Sequence, residues 1–285
     1  MKGVVVQVYR SLFDCWLEDR LIQVQIKPSF LRGKKEERTL VAVGDEVLIE
    51  FKEEFFFLKE VLPRKNALKR LSFNRKTIHV LAANVDALAI IASFSHPPFN
   101  PRAIDRFLIA AMEQDIPVIL IMNKRDLQAK NETHHSIYTS LGIKVFPCSA
   151  HDLSDIHSLK TIIQDLRVVF CGHSGVGKTS LINALFQHEL GKTGSVSKQE
   201  KGMHTTTYSR LYGSKDLQVI DTPGVREFQI AVPPSELRLY YPEFFDLSCH
   251  QKGCLHLQEK YCEAKTLFRY ESYVRIYESL KNDKI

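Results

Sequence analysis

No apolar run in the chain approaches the roughly 20 residues that a membrane helix needs. The first residues, Met1-Lys2-Gly3-Val4-Val5-Val6-Gln7, lack the long apolar core of a secretory signal and read as a strand. These absences argue against a helical membrane protein and point to the cytoplasm. Cysteine is also sparse, six in 285 residues, too few to suggest a disulfide scaffold. Cys15, Cys148 and Cys171 are scattered and read as packed thiols. Charge is not strongly one-sided: the net value is +6 with a pI near 8.9, which permits a nucleic-acid partner without demanding one. With 44% hydrophobic and 25% charged residues the composition is that of an ordinary globular protein. Its length allows two or three domains of roughly 100–150 residues.

The most informative stretch runs from Arg167 to Leu190. Arg167-Val168-Val169-Phe170-Cys171 is a short apolar run with the texture of a buried parallel strand. It leads into Gly172-His173-Ser174-Gly175-Val176-Gly177-Lys178-Thr179, which fits G-x-x-x-x-G-K-[ST]. Ser180-Leu181-Ile182-Asn183-Ala184-Leu185-Phe186 continues with helical spacing. Strand, glycine loop and helix are the parts of a phosphate cradle. Glycines let the backbone turn its N–H groups inward, and the helix start adds its positive dipole end. Lys178 is placed to reach the β- and γ-phosphates, and the Thr179 hydroxyl to ligate Mg²⁺.

Residues 1 to about 62 read as all-β, with runs at Gly3–Val8, Phe13–Leu17, Leu21–Ile26, Glu46–Phe51 and Phe55–Leu62. Five short strands in this length suggest a small closed barrel such as an OB-fold, a common nucleic-acid platform. The connection Lys27–Leu40 carries Lys27, Arg32, Lys34, Lys35 and Arg38 against Glu36 and Glu37. The link Pro63–Lys76 holds Arg64, Lys65, Lys69, Arg70, Arg75 and Lys76 and no acidic residue. One such run reads as a solvated face. Two beside a barrel favour RNA contact.

From Ile78 the pattern changes to strands alternating with helices, as in a parallel sheet. Asp86–Ser93 and Ile116–Met122 are continuous apolar runs, with helical spacing across Ala103–Gln114 between them. The second ends in Asn123-Lys124-Arg125-Asp126, an N-K-x-D. The Asp126 carboxylate matches the N1–H and 2-amino group of guanine, donors that adenine lacks. Asn123 is placed either to bond around N7 and O6 or to brace the glycine loop, and the Lys124 stem to lie over the ring. Ile143–Phe146 leads to Cys148-Ser149-Ala150, where a backbone N–H can meet guanine O6. Gly191–Gly202 reads as a polar, glycine-rich loop. After it, His204-Thr205-Thr206-Thr207 offers a hydroxyl, Thr206, to complete a Mg²⁺ shell. Leu217–Ile220 closes in Asp221-Thr222-Pro223-Gly224, a D-x-x-G that supplies a carboxylate for Mg²⁺ and a glycine N–H for the γ-phosphate. All four motifs end apolar strands, where α/β proteins bind ligands. Their order is permuted: a Ras-like domain begins at the glycine loop, whereas here N-K-x-D and S-A come first. The original termini would then be joined and new ones opened after D-x-x-G.

A different chemistry follows. Cys249-x₄-Cys254-x-His256-x₅-Cys262 places three thiols and an imidazole within fourteen residues, which suits a closed structural Zn²⁺ site. A disulfide would leave one cysteine over. The last apolar periodicity, Leu267, Tyr270, Val274, Tyr277 and Leu280, predicts a helix packed on that knuckle.

Taken together, Asn84-Val85-Asp86, Asn123–Asp126, Gly172–Leu181, His204–Thr207, Asp221–Glu227 and the Cys249–Cys262 cluster make nearly the whole chain resemble one family. These are the circularly permuted bacterial GTPases of small-ribosomal-subunit biogenesis, the RsgA family. The resemblance implies an OB-fold RNA-binding domain over residues 1–68, a circularly permuted P-loop GTPase domain over 69–231, and a small helical zinc domain over 232–285. It implies a monomeric GTPase that binds the 30S subunit and 16S rRNA late in maturation and is released on GTP hydrolysis, with structural zinc, and with Mg²⁺ accompanying GTP. The implied nucleotide contacts are Asn123–Asp126, Ser149, Ala150, Gly172–Ser180, Asp221 and Gly224, with zinc on Cys249, Cys254, His256 and Cys262. Catalysis is a separate question. The residue after D-x-x-G is Val225, where Ras-like enzymes use a water-orienting glutamine. His204, beside the threonine switch, is therefore the expected catalytic residue alongside Lys178. The family usually shows arginine where this chain has Met203, and a longer, more basic loop than Lys27–Leu40. Two other readings compete: a GTPase acting on another ribonucleoprotein, and a nucleotide-gated RNA-binding protein with negligible turnover.

Overall fold

A computed structural model describes the chain apart from residues 32–38, 72–77, 128–134, 187–208, 215, 223–229, 250–252, 260 and 283–285. His204, Thr206, Gly224 and Val225 lie outside the described residues, as do the Gly191–Gly202 loop and most of the charges of the 27–40 connection.

The chain begins with β1 (Lys2–Val8), β2 (Leu12–Leu17), β3 (Arg20–Gln25), a short α1 (Pro28–Leu31), β4 (Glu46–Lys52) and β5 (Phe55–Val61). Their order is β1-β2-β3-β5-β4, and β4 pairs back onto β1, so the sheet closes. This is the expected OB-like barrel, with each strand within a residue or so of its sequence reading. Period-two alternation turns Val5, Phe13, Cys15, Val24, Val47, Ile49 and Leu58 into the lumen.

The Pro63–Lys76 link proves to be more than a link. It contains β6 (Ala67–Leu71), which pairs antiparallel with β7 (Ile78–Ala83). Two of its cations serve the fold. Arg64 grips the fully buried Asp45 carboxylate at 2.7 and 2.9 Å, and Lys65 pairs with Asp86. The Val43-Gly44-Asp45 turn is the joint between barrel and sheet. A Cβ on Gly44, whose φ is +87°, would sit 2.4 Å from the Ala83 carbonyl oxygen, and that carbonyl also explains why only glycine fits. The Arg167 guanidinium donates to the Gly44 oxygen at 2.7 Å from the other side.

The second layer system comprises β8 (Ala87–Ser93), α2 (Pro101–Met112), β9 (Val118–Asn123), α3 (Ser136–Ser140), β10 (Lys144–Pro147), α4 (Leu153–Ile163), β11 (Arg167–Cys171), α5 (Lys178–Phe186), β12 (Arg210–Ser214) and β13 (Leu217–Asp221). Strands β10-β9-β8-β11-β13 are parallel in that order, and antiparallel β12 joins them to β1. Strand β8 shows why its run is apolar throughout. Leu88, Ile90 and Ala92 enter the core beneath α2, whereas Ala87, Ala89 and Ile91 enter the one beneath α4 and α5. Helix α2 starts where Asn100 caps the Ala103 amide and Pro101 fills the first turn.

The C-terminal part has little regular structure before α6 (Tyr270–Asn282). The helix buries Tyr273, Ile276 and Leu280; of the predicted stripe Leu280 is buried, while Tyr270, Val274 and Tyr277 are half-buried, so the buried face is rotated toward Tyr273 and Ile276. Its partner is also not the knuckle alone. The helix is wedged between the cysteine loop and α2, so the buried arc is wider than a single partner requires. Among the described residues no helix is long and apolar enough to cross a membrane.

Candidate functional site

The sheet order alone assembles the site. Asn123 ends β9, Cys148 follows β10, Gly172 follows β11 and Asp221 ends β13, all at the carboxyl edge. The N-K-x-D and S-A stretches follow β9 and β10, and the glycine loop follows β11 and Asp221 ends β13, with β8 between, an arrangement long enough for a nucleotide to lie along the edge.

On the phosphate side, the Lys178 ammonium donates to the carbonyls of Gly172 (2.6 Å) and His173 (3.1 Å), folded back over the loop it would share with a phosphate. Gly177 has φ +96°, and a Cβ there would lie 2.2 Å from the Asn123 side-chain nitrogen. That nitrogen donates to the Val176 oxygen at 2.8 Å. Asn123 thus braces the glycine loop, and glycine at 177 is the steric condition of that brace. Thr179 and Ser180 are exposed at the start of α5. Asp221 is buried, 6% exposed, and its Oδ1 has no hydrogen-bond partner among the described residues. Burial pushes its carboxyl above the usual range against the pull of Lys178, and burial lowers the Lys178 ammonium against the pull of Asp221. A buried carboxylate oxygen left without a donor beside a phosphate loop is a fitting partner for Mg²⁺ or its water, with the Thr179 hydroxyl close in sequence to complete the set. Thr222 anchors the strand end by donating to the Phe170 oxygen at 3.0 Å.

On the base side, the Ser149 hydroxyl donates to Asp126 Oδ1 at 2.6 Å, which steadies the carboxylate that would read guanine. The Ser149 amide donates to Asp155 Oδ2 at 2.8 Å, and the Ala150 amide is the next along the loop. The Arg125 guanidinium turns to Asp152 and Asp155, each at 3.0 Å, and braces the two loops against each other. Lys124, at φ +63°, donates to the carbonyls of Gly175 (2.7 Å) and His96, which lays its stem across the loop. Asp152, Asp155 and His96 were missed by sequence reasoning. Asp152 carried a signal, as the N-cap of α4 accepting from Ser154; the other two did not. Beside the loop, His173 and Ser174 share a cavity of about 660 Å³ with Arg102 of α2 and Glu271 and Arg275 of α6. The phosphate loop thus faces the C-terminal part.

The cysteine cluster is a separate centre. Cys249, Cys254 and Cys262 place their sulfurs 3.7, 3.6 and 3.3 Å from Nδ1 of His256. A tetrahedral zinc with bonds of about 2.3 Å to sulfur and 2.0–2.1 Å to nitrogen holds such atoms about 3.6 Å apart. The sulfur–nitrogen distances therefore suit zinc with Nδ1 as the imidazole ligand, while the donors that lie mutually within 4.8 Å form two groups, Cys249, Cys254 and His256, and Cys254, Glu259 and Cys262. Burial pushes the Cys254 thiol up to about 11, so a thiolate there calls for a cation. The Glu259 carboxylate, absent from the sequence reading, also lies within 4.8 Å of the Cys254 and Cys262 sulfurs. Helix α6 holds the loop's backbone: Tyr270 donates to the His256 oxygen at 2.9 Å and Tyr273 to the Leu255 oxygen at 2.6 Å.

The chain is similar to known proteins over nearly its whole length. Residues 61–231 match the family model described as RsgA GTPase. The chain is 34% identical to a protein of Bacteroides thetaiotaomicron named small ribosomal subunit biogenesis GTPase RsgA 2, over 100% of this chain and 98% of that one. Among solved structures, YjeQ from Thermotoga maritima superposes with a TM-score of 0.73 at 27% identity, covering 98% of both chains. YloQ, described as a circularly permuted GTPase, gives 0.67 at 25% identity over 99% of this chain and 95% of that one.

Proposed function

The chain belongs to the RsgA GTPase family, and from that premise we propose that it is a ribosome biogenesis factor that binds the 30S subunit and 16S rRNA late in maturation and leaves when GTP is hydrolysed. The observation that carries this reading is the single carboxyl edge on which Lys178, Asp221, Asn123, Asp126 and Ser149 converge. GTP with Mg²⁺ would be held by Gly172–Ser180, Asp221 and Gly224, with Thr206 as the further Mg²⁺ ligand. Zinc would be structural, on Cys249, Cys254, His256 and Cys262. We take the units as 1–68, 69–231 and 232–285, working as a monomer in the cytoplasm.

His204 is the proposed catalytic residue, since Val225 can neither donate nor accept a hydrogen bond to water. Single-turnover hydrolysis at saturating 30S subunits tests this. His204→Ala should bind GTP and 30S as the native chain does and lose the stimulated rate, because the imidazole acts on the transition state and not on bound GTP. Native hydrolysis by that variant would pass the role to a group of the ribosome. Co-sedimentation with 30S, 50S and 70S particles in GDP or a non-hydrolysable GTP analogue separates the small-subunit reading from action on another ribonucleoprotein.

A further inference from the structure

The hairpin of β4 and β5 is built against its own local preferences. Lys52 pairs with Phe55, so the turn consists of two residues, Glu53 and Glu54, at φ +50° and +67°. Such primed turns favour Asn-Gly, because positive φ is strained for residues with a Cβ. Here the strain holds two carboxylates at the tip, and among the described residues no ion pair engages either. Behind them stand Phe51 and Phe55, 56% and 54% exposed, with Phe51 tilted on Phe56 at 4.9 Å between centroids. Exposed aromatic rings together with a strained turn mark a surface shaped for contact rather than for stability.

Charge decides the kind of partner. Residues 50–60 carry Glu50, Glu53, Glu54 and Glu60 against Lys52 and Lys59, in a chain whose net charge is +6. Lys27 and Lys52 are both drawn to Glu50, at 2.7 and 3.1 Å, and Lys27 also lies 4.7 Å over the Phe57 ring. Both of these cations are thus held at Glu50, back from the turn, and the Glu53 and Glu54 carboxylates at the tip repel phosphate. Ring faces next to carboxylates suit Arg and Lys side chains, through cation–π contact and ion pairing together. We propose that the β4–β5 hairpin tip, Phe51, Glu53, Glu54 and Phe55, docks a Lys/Arg-rich polypeptide segment and not RNA. The proposal rests on the ribosomal reading only for where that partner resides, on the protein of the particle rather than its rRNA.

The test uses the full chain, a short labelled peptide of alternating Arg and Lys, and a decauridine oligomer. Glu53→Asn with Glu54→Gly is the informative variant, since it relieves the turn while removing the carboxylates. Its thermal midpoint should hold or rise, while its affinity for the peptide falls roughly fivefold, as loss of two exposed ion pairs implies. Phe51→Ser with Phe55→Ser should weaken the peptide similarly and leave decauridine binding unchanged. Unchanged peptide affinity in both variants overturns the proposal, and so does loss of decauridine binding in the phenylalanine variant. A benzoylphenylalanine at position 55, irradiated on purified 30S subunits with a GTP analogue, should label a basic protein; labelling of rRNA overturns the proposal. If the native chain fails to co-sediment with 30S at all, the ribosomal reading falls while the peptide result still decides the hairpin.

Discussion

Replacing Arg269 by Met should loosen the C-terminal part from the GTPase sheet more than any surface change nearby. The guanidinium is 2% exposed. Its Nε donates to Asp105 of α2 at 2.9 Å, and its Nη1 to both Glu243 oxygens at 3.0 Å. It also lies 4.4 Å over the Tyr241 ring. Burial lowers the Arg269 pKa, but the two carboxylates outweigh it and hold the group charged. Burial pushes Asp105 and Glu243 up, with Arg269 opposing. Removing one partner of such a cluster leaves an uncompensated buried charge and costs about 3–5 kcal/mol, a large share of the roughly 5–15 kcal/mol that holds a domain folded. The pH dependence follows from the sign. Without Arg269 the folded-state pKa of Asp105 moves further above its unfolded value. The stability tied to its protonation is then fully present below the unfolded pKa of about 4. It is lost as pH rises through the folded pKa, by up to about 1.4 kcal/mol per unit. The variant's deficit, read by urea unfolding with far-UV circular dichroism, should therefore be small near pH 4–5 and grow toward pH 8. Adding Asp105→Asn should recover part of it and weaken the pH dependence, because Glu243 is then the one carboxylate left without its cation. A deficit below about 1 kcal/mol, or a double variant no better than the single, would refute the reasoning.

Two further outcomes follow from the sites. Asp126→Asn should weaken GTP at least tenfold, since a charge-assisted bond is worth about 1.5–3 kcal/mol, and should raise relative affinity for xanthosine triphosphate; competition binding checks both. Cys254→Ser should abolish bound zinc in metal analysis and lower hydrogen-exchange protection of α6, while guanine-nucleotide binding persists, because the parallel sheet has its own two-sided core.

Much of the molecule was legible in the sequence because its signals are local. Alternation in Phe13-Asp14-Cys15 and the unbroken apolar run of Asp86–Ser93 report on which faces are buried, and each motif spans a few residues at a strand end. The permuted order was legible for the same reason, since motif order is a property of the chain. The cysteine spacing likewise marked Cys249, Cys254, His256 and Cys262, which lie together in the fold, and gave no sign of the nearby Glu259. What the tertiary structure decided lies between distant residues. Arg269 and Asp105 meet across 164 positions, Asn123 and Val176 across 53, and Arg106 reaches Ser279 across 173. No periodicity marks such pairs. The bond from Asn123 to the Val176 carbonyl and that from the Ser149 amide to Asp155 depended on which acceptor lay nearest after folding. So did the rotation of the buried face of α6, whose sequence is compatible with one partner and whose packing has two. A short stretch specifies its own conformation and solvent exposure, but the third dimension chooses its neighbours.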